Sequence, residues 1–274
     1  MSLLAVRGLT IAFPVAGSLR PVVRGVSLAV ERGEIFGLVG ESGSGKTLTA
    51  LAILRLLPAN ARVVAGRVDL EDALGTGTAV DLLTLGPREL RQIRGGRIGL
   101  VFQEPATAMN PSYTVGFQIA EAVRAHRTMS RREARDEAVR LLDLVALADA
   151  RRRLDDYPHQ LSGGQKQRAM IAMALAGEPD LLLADEPTTA LDVTLQAQIL
   201  ELLDKLRRDL GFSVLLITHD LGVVAETCDR VAVMHAGEIV EEAGVEALFR
   251  APAHSYTRTL LAAVPRLGAG AEAT

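Results

Sequence analysis

Eight consecutive residues, Gly40-Glu41-Ser42-Gly43-Ser44-Gly45-Lys46-Thr47, combine three glycines, a lysine and a terminal hydroxyl. Gly40, Gly43 and Gly45 permit backbone angles that a Cβ would forbid, so successive N–H groups can curl around one anion. The apolar run before them, residues 35–39, reads as a buried strand, and residues 48–54 after them read as a helix. That strand-loop-helix order aims the positive end of the helix at the same anion. In this G-x-x-x-x-G-K-[ST] setting Lys46 reaches the β- and γ-phosphates of a nucleotide and the Thr47 hydroxyl ligates Mg²⁺.

The second half of the chain carries groups that complement such a loop. Leu181-Leu182-Leu183-Ala184 runs directly into Asp185-Glu186, which puts two carboxylates at the end of a buried strand expected to lie beside the loop. Asp185 is suited to hold Mg²⁺ and Glu186 to orient or deprotonate an attacking water. His219 follows the next apolar run, at a strand's carboxyl end, where ligands collect in open α/β sheets, and is placed to donate to the γ-phosphate. Leu161-Ser162-Gly163-Gly164-Gln165 opens a helical stretch, 163–176, whose first N–H groups would face an anion. On the residues alone, Ser-Gly-Gly reads first as a flexible loop, and only the resemblance described below reverses that reading.

Positioning these groups calls for an α/β core. Residues 181–184 and 213–218 are short and nearly all apolar, as strands buried on both faces are. Between them Ile199, Leu202, Leu203, Leu206 and Leu210 recur at helical spacing, with Gly211 placed to end the helix. Pieces around Leu9 to Phe13, Val26 to Val30 and Arg67 to Leu70 suggest a smaller antiparallel sheet, and Gly75 and Gly77 a surface loop. From about Val115 to Leu147 the pattern is helical, and Ser130-Arg131-Arg132-Glu133 is a capping box. The expected division is a core of residues 1–103 and 161–274 with a helical insert at 104–160; the tail 268–274 frays.

Composition narrows the class. The 274 residues suffice for one large or two modest domains, and a net charge of −3 supplies no electrostatic case for nucleic acid. No apolar stretch approaches a membrane span, and the N-terminus lacks the features of a secretory signal. Cys228 is the single cysteine, which excludes an intramolecular disulfide and fits a buried thiol in a cytoplasmic chain.

The order of the phosphate loop, Gln103, Leu161-Ser162-Gly163-Gly164-Gln165, Asp185-Glu186, Ala190-Leu191-Asp192 and His219 resembles the nucleotide-binding subunit of an ABC transporter, across nearly the whole chain. The resemblance implies an α/β fold: a P-loop NTPase core of ABC ATPase type, an antiparallel β subdomain and an inserted helical subdomain. It implies ATP and Mg²⁺ as cofactors, and a head-to-tail dimer in which Ser162 and Gly164 of one subunit contact the γ-phosphate held by Lys46 of the other, with Gly163 and Gln165 in the same ATP-binding element. By the same resemblance Gln103 senses Mg²⁺ and the attacking water, and Asp192 lies in the loop crossing between subunits. Phe13 falls where the family stacks an aromatic ring on adenine, although an apolar strand position accounts for it too. His126, His159, His235 and His254 match no motif position with a catalytic role.

Phe102 to Pro111, Tyr157-Pro158-His159-Gln160, Met170-Ile171-Ala172-Met173, Pro187 to Thr194 and the ending His254-Ser255-Tyr256-Thr257-Arg258 to Val264-Pro265 are similar to ATPases of peptide and nickel importers. This implies two transmembrane permease subunits, a second and different ATP-binding subunit, an extracytoplasmic solute-binding protein, and a place on the cytoplasmic face of the inner membrane. Some relatives carry an iron–sulfur cluster on a cysteine-bearing extension; with one cysteine this chain is expected to hold none. A soluble ATPase acting on ribosomes or DNA is the alternative, disfavoured by the single ATPase unit and the short insert. A small-molecule kinase would leave Leu161 to Gln165 unexplained.

Overall fold

The computed structural model describes residues 2–72, 78–104, 108–189 and 191–263. Gly75, Gly77, Pro105-Ala106-Thr107, Ala190 and the ending from residue 264 onward, all of which carry expectations above, lie outside the described residues.

Two sheets face one another. The first is antiparallel, in the order β2 (Ser18–Glu31), β1 (Ser2–Val15), β4 (Arg62–Glu71), β5 (Ala79–Asp81). β1 and β2 join through Ala16-Gly17, both with positive φ, the two-residue geometry that follows the natural twist of a hairpin. β1 is far longer than the Leu9 to Phe13 piece that alternation suggests. Its pairing with β2 shifts register between Val6 and Leu9 and twice more by Ala12, and each irregularity breaks the period-2 signal.

The second sheet runs β10 (Glu238–Gly244), β9 (Arg230–His235), β3 (Ile35–Val39), β8 (Ser213–Thr218), β7 (Leu181–Asp185), β6 (Ile98–Val101). The five strands from β9 to β6 are parallel and β10 is antiparallel to β9. β7 is therefore not the neighbour of β3: β8 separates them. The end of β7 nevertheless lies beside the phosphate loop, as expected, with Asp185 bonded to Thr47; the strand order itself is set by crossovers that the local pattern does not encode.

Alternation along the parallel strands divides the core. Phe36, Leu38, Leu181, Leu183, Leu215 and Ile217 point toward the antiparallel sheet and α1 (Lys46–Ile53). Leu182, Ala184, Val214 and Leu216 point to a layer of helices. That layer holds α3 (Val115–His126), α4 (Arg131–Leu144), α6 (Gly163–Ala174) and α7 (Val193–Leu210). α2 (Pro87–Ile93) and α5 (Ala150–Arg153) are shorter connections. Ile119, Val123, Leu141 and Leu142 share one apolar cluster with Met170, Ile171 and Ile199, and α3 and α4 are packed on α6 rather than hung from a linker. α8 (Leu221–Thr227), α9 (Val245–Arg250) and α10 (Ser255–Ala262) close the far edge around Val39, Val231, Val233 and Leu248.

Helix ends follow local chemistry. Ser130 accepts from Glu133 N–H at 3.3 Å while the Glu133 carboxylate accepts from Ser130 N–H at 2.8 Å, as the capping-box pattern predicts. Gly211 ends α7 with φ +77. α6 stops at Ala174, two residues short of expectation.

Phe36 is fully buried between the sheets, with the Arg230 guanidinium 5.1 Å from its ring centroid. Phe36→Ala is expected to lower the free energy of unfolding by about 3–5 kcal/mol, read from urea titrations, because a fully enclosed aromatic leaves a cavity. A loss below 1 kcal/mol would contradict this packing.

Candidate functional site

The phosphate loop links β3 to α1 and is wedged against β9. A Cβ on Gly40 would sit 2.1 Å from the Met234 carbonyl oxygen, so only glycine lets the loop pass that backbone. Gly45, with φ +107, caps α1 in a left-handed conformation and turns the helix's first N–H groups toward the loop. Ser44 is buried and its Oγ has no hydrogen-bond partner, an orphan hydroxyl inside the cradle.

Lys46 is 4% exposed and folds its ammonium back onto the loop, donating to Gly40 O at 2.7 Å and Glu41 O at 2.9 Å. Burial is the largest influence and pulls its pKa down, while Glu186, Asp185 and Glu41 act in the opposite direction.

The sheet delivers the acidic groups to the same place. Asp185 ends β7, and its Oδ1 accepts from the Thr47 hydroxyl at 3.1 Å across the intervening β8. Burial pushes the Asp185 carboxyl up to about 6, against the hydrogen bond from Thr47, with the Glu186 charge adding and Lys46 opposing. A hydroxyl and a carboxylate oxygen side by side are the hard donors that Mg²⁺ takes beside phosphate oxygens, and they fit that ion.

Glu186 is the focus of the site. Its Oε2 accepts from Gln103 Nε2 at 3.0 Å and from the Thr189 hydroxyl at 2.8 Å, and its Oε1 lies 3.1 Å from His219 Nδ1. Burial opposes ionisation, but the bonds from Thr189 and His219 outweigh it and hold the carboxyl below its ordinary range. The residue has φ +45, a strained conformation for a side chain of this size, anchored by its N–H on Ile217 O at 2.8 Å. Three expected residues, Gln103, Glu186 and His219, thus converge. Thr189 completes the set without having been assigned a role; a hydroxyl three residues past the carboxylate is its only trace in the sequence.

Other expected residues lie elsewhere. Ser162 caps α6: its N–H donates to Gln165 Oε1 at 3.0 Å and its Oγ accepts from Gln165 N–H at 3.4 Å. Asp192 caps α7, accepting from Leu195 N–H at 2.9 Å. Among the described residues none of these bonds reaches the phosphate loop of the same chain. Phe13 is half-buried near the tip of the β1–β2 hairpin, two residues past Ile11, whose partner Val23 leans over Gly45.

Residues 23–189 match the family model described as ABC transporter. The chain belongs to that family. Residues 240–274 match a second model, the C-terminal region of oligopeptide/dipeptide transporters. A probable peptide ABC transporter ATP-binding protein of Sinorhizobium fredii is 54% identical over 264 residues, covering 96% of this chain and 77% of that one. A glutathione import ATP-binding protein of Pectobacterium atrosepticum is 52% identical over 96% of this chain, which spans 42% of its length. Among solved structures, an ATP-binding cassette dimer in a post-hydrolysis state bound to ADP and phosphate superposes with a TM-score of 0.76 at 30% identity, covering 88% of this chain and 98% of that one. The cbiO1 protein of Clostridium perfringens, part of an ABC transporter complex, gives 0.76 at 25% identity over 97% of each chain. This ABC cassette is an ATPase, and the ribosome- or DNA-directed alternative is not favoured.

The raised Asp185 carboxyl makes a signed prediction for the metal- and nucleotide-free protein. A folded value near 6, above the ordinary 3.8, means that the stability this group contributes is full below pH 4 and lost as pH rises through 6. Asp185→Asn should therefore melt higher than wild type at pH 8, and the gap should close as pH falls from 6 to 4. Equal melting temperatures at pH 8 would refute the buried charge.

Proposed function

We propose that this ABC ATPase powers import of di- or oligopeptides, as one of two cassettes that close head to tail around ATP. The observation that carries the ATPase assignment into residues is the convergence of Gln103, Thr189 and His219 on Glu186, next to an Asp185 already bonded to Thr47. In this reading the loop from Gly40 to Thr47 cradles the phosphates, Lys46 turns from the loop carbonyls to the β- and γ-phosphates, and Phe13 stacks on the base. Thr47, Asp185 and Gln103 hold Mg²⁺, which when bound neutralises phosphate charge. Glu186 orients the attacking water and takes its proton, and His219 donates to the γ-phosphate oxygen.

The partner cassette supplies what this chain's own loop lacks. Ser162 and Gly163 are exposed at the N-terminus of α6, where unpaired N–H groups and the helix dipole favour an anion. A Cβ on Gly163 would meet Leu191 at 3.5 Å and one on Gly164 would meet Leu195 at 3.4 Å, ordinary contact. Packing within the chain thus makes no demand for these glycines, which supports a contact from outside it, such as a γ-phosphate held by the partner.

Among the described residues no helix is long and apolar enough to cross a membrane. Transport then requires permease partners, and the exposed aromatic cluster on the helical insert fits that need. Tyr113 and Phe117, 48% and 47% exposed, stack at 4.8 Å, and Phe102, beside Gln103, is 40% exposed. Such aromatics on a soluble face mark protein contacts. The assembly in this reading holds two permeases, a second ATP-binding subunit and an extracytoplasmic binding protein, with this chain on the cytoplasmic face. The peptide assignment rests on the relatives' names and the C-terminal match.

Purification of the assembled transporter with its binding protein, followed by ATP-dependent uptake of labelled peptides in vesicles, tests the whole reading; no uptake of any peptide removes the cargo. Glu186→Gln should lower turnover by roughly 10²- to 10⁴-fold, about 3 to 5 kcal/mol of barrier, with ATP affinity kept. Lys46→Ala should lose affinity as well as turnover, and normal affinity in a titration contradicts the phosphate-loop assignment. Phe117→Asp should release the cassette from detergent-solubilised permeases while leaving ATP affinity unchanged, read by co-purification; full retention removes this face from the docking surface.

A further inference from the structure

The last described helix reaches back to the phosphate loop. The Glu241 carboxylate on β10 accepts from Ala253 N–H at 2.7 Å and His254 N–H at 2.9 Å, which fixes the start of α10 to the sheet edge. His254 Nδ1 then caps the helix by accepting from Tyr256 N–H at 3.1 Å, and Thr257 is fully buried. With both neighbours pinned, Tyr256 has little freedom. Its ring lies 3.8 Å from the His235 ring, tilted by 30°, and its hydroxyl accepts from Glu41 N–H at 3.4 Å.

That last contact falls on one particular peptide unit. The Glu41 N–H and the Gly40 C=O belong to the same planar group, so neither can tilt without the other. The Gly40 oxygen accepts from Lys46 Nζ at 2.7 Å. A single rigid amide therefore has the Tyr256 hydroxyl on one end and the Lys46 ammonium on the other. His235 ends β9, next to Met234, whose carbonyl presses on Gly40, so the ring stack and the loop contact are parts of one packed corner.

We propose that Tyr256, seated on His235, is a positioning residue for the nucleotide: it sets the tilt of the Gly40–Glu41 peptide, and with it the shape of the loop that receives the phosphates and the carbonyl on which Lys46 rests until ATP draws it away. This rests on the reading of the loop as the ATP site. It gives the His254-Ser255-Tyr256-Thr257 segment a physical role that its resemblance to importer ATPases alone does not supply. Because Tyr256 acts on the loop before any bond changes, it affects binding of ATP and of the transition state alike, so KM rises and kcat holds.

The test uses the full chain, with Mg-ATP affinity by calorimetric titration and KM and kcat in the assembled transporter. Tyr256→Phe keeps the ring stack and removes only the hydroxyl. It should weaken ATP binding and raise KM by about 3- to 10-fold, the range of one lost hydrogen bond, with kcat and melting temperature unchanged. Unchanged affinity in Tyr256→Phe overturns the proposal. Leu260→Ala loosens the packing of the same helix on its apolar cluster without touching the loop and should lower the melting temperature only; if it weakens ATP binding as much as Tyr256→Phe, general docking of α10 is responsible and the assignment to Tyr256 falls. If wild type fails to bind ATP, or Lys46→Ala binds as tightly, the loop reading itself is wrong and the proposal goes with it.

Discussion

Lys46 and Asp185 are both nearly shut off from water, and burial pushes each toward its neutral form. Each is held there by polar groups rather than by an ion pair: the Gly40 and Glu41 carbonyls for Lys46, the Thr47 hydroxyl for Asp185. The parallel sheet is what makes the arrangement possible. It brings the ends of β3, β8 and β7 to one edge, so that the loop with its Thr47 hydroxyl meets the Asp185 carboxylate 138 residues further along the chain. The two charges remain poorly compensated, with Lys46 turned to carbonyl oxygens and Asp185 to one hydroxyl. A site strained in this way is relieved by a polyanion with its cation, and that is the sense in which the fold is built to bind.

Glu186 shows the same principle in another form. Its carboxylate is held by three side chains from three different segments, and its backbone sits in a left-handed conformation. The bonds keep it ionised, as the proposed base must be, and they crowd Oε2 with two donors while Oε1 carries the His219 contact alone. In the proposed reading Gln103 and His219 also serve Mg²⁺ and the γ-phosphate. Nucleotide and metal would then compete with Glu186 for both donors, which in that reading links hydrolysis to closure without a separate switch.

What the sequence displayed was whatever depends on short spans of chain. The phosphate loop, the capping box at Ser130 and the helix stop at Gly211 are set by bonds among residues three to six apart, and each was readable. Strand order was not, because β8 enters between β3 and β7 through crossovers of many residues. The long β1 was hidden by its bulges, and β9 and β10 passed unremarked. Thr189 and Tyr256 were present as letters in recognised segments; their partners, Glu186 and the 215-residue-distant Glu41, could be known only from the fold.

The core also decides what can move together. α6 presents Ser162 at one end and buries Met170 and Ile171 at the other, in the same cluster as Ile119, Val123, Leu141 and Leu142 of the inserted helices. Close-packed side chains of this kind transmit displacement rather than absorb it. In the proposed dimer, a γ-phosphate drawing the N-terminus of α6 toward the partner must carry α3 with it, and α3 bears Phe117, which with Tyr113 forms the exposed aromatic pair. The ATP-contacting end and the permease-contacting face are then opposite sides of one packed layer. Coupling requires no flexible linkage between them; it requires that the apolar seam between α6 and the inserted helices stay closed while the layer as a whole swings on the sheet.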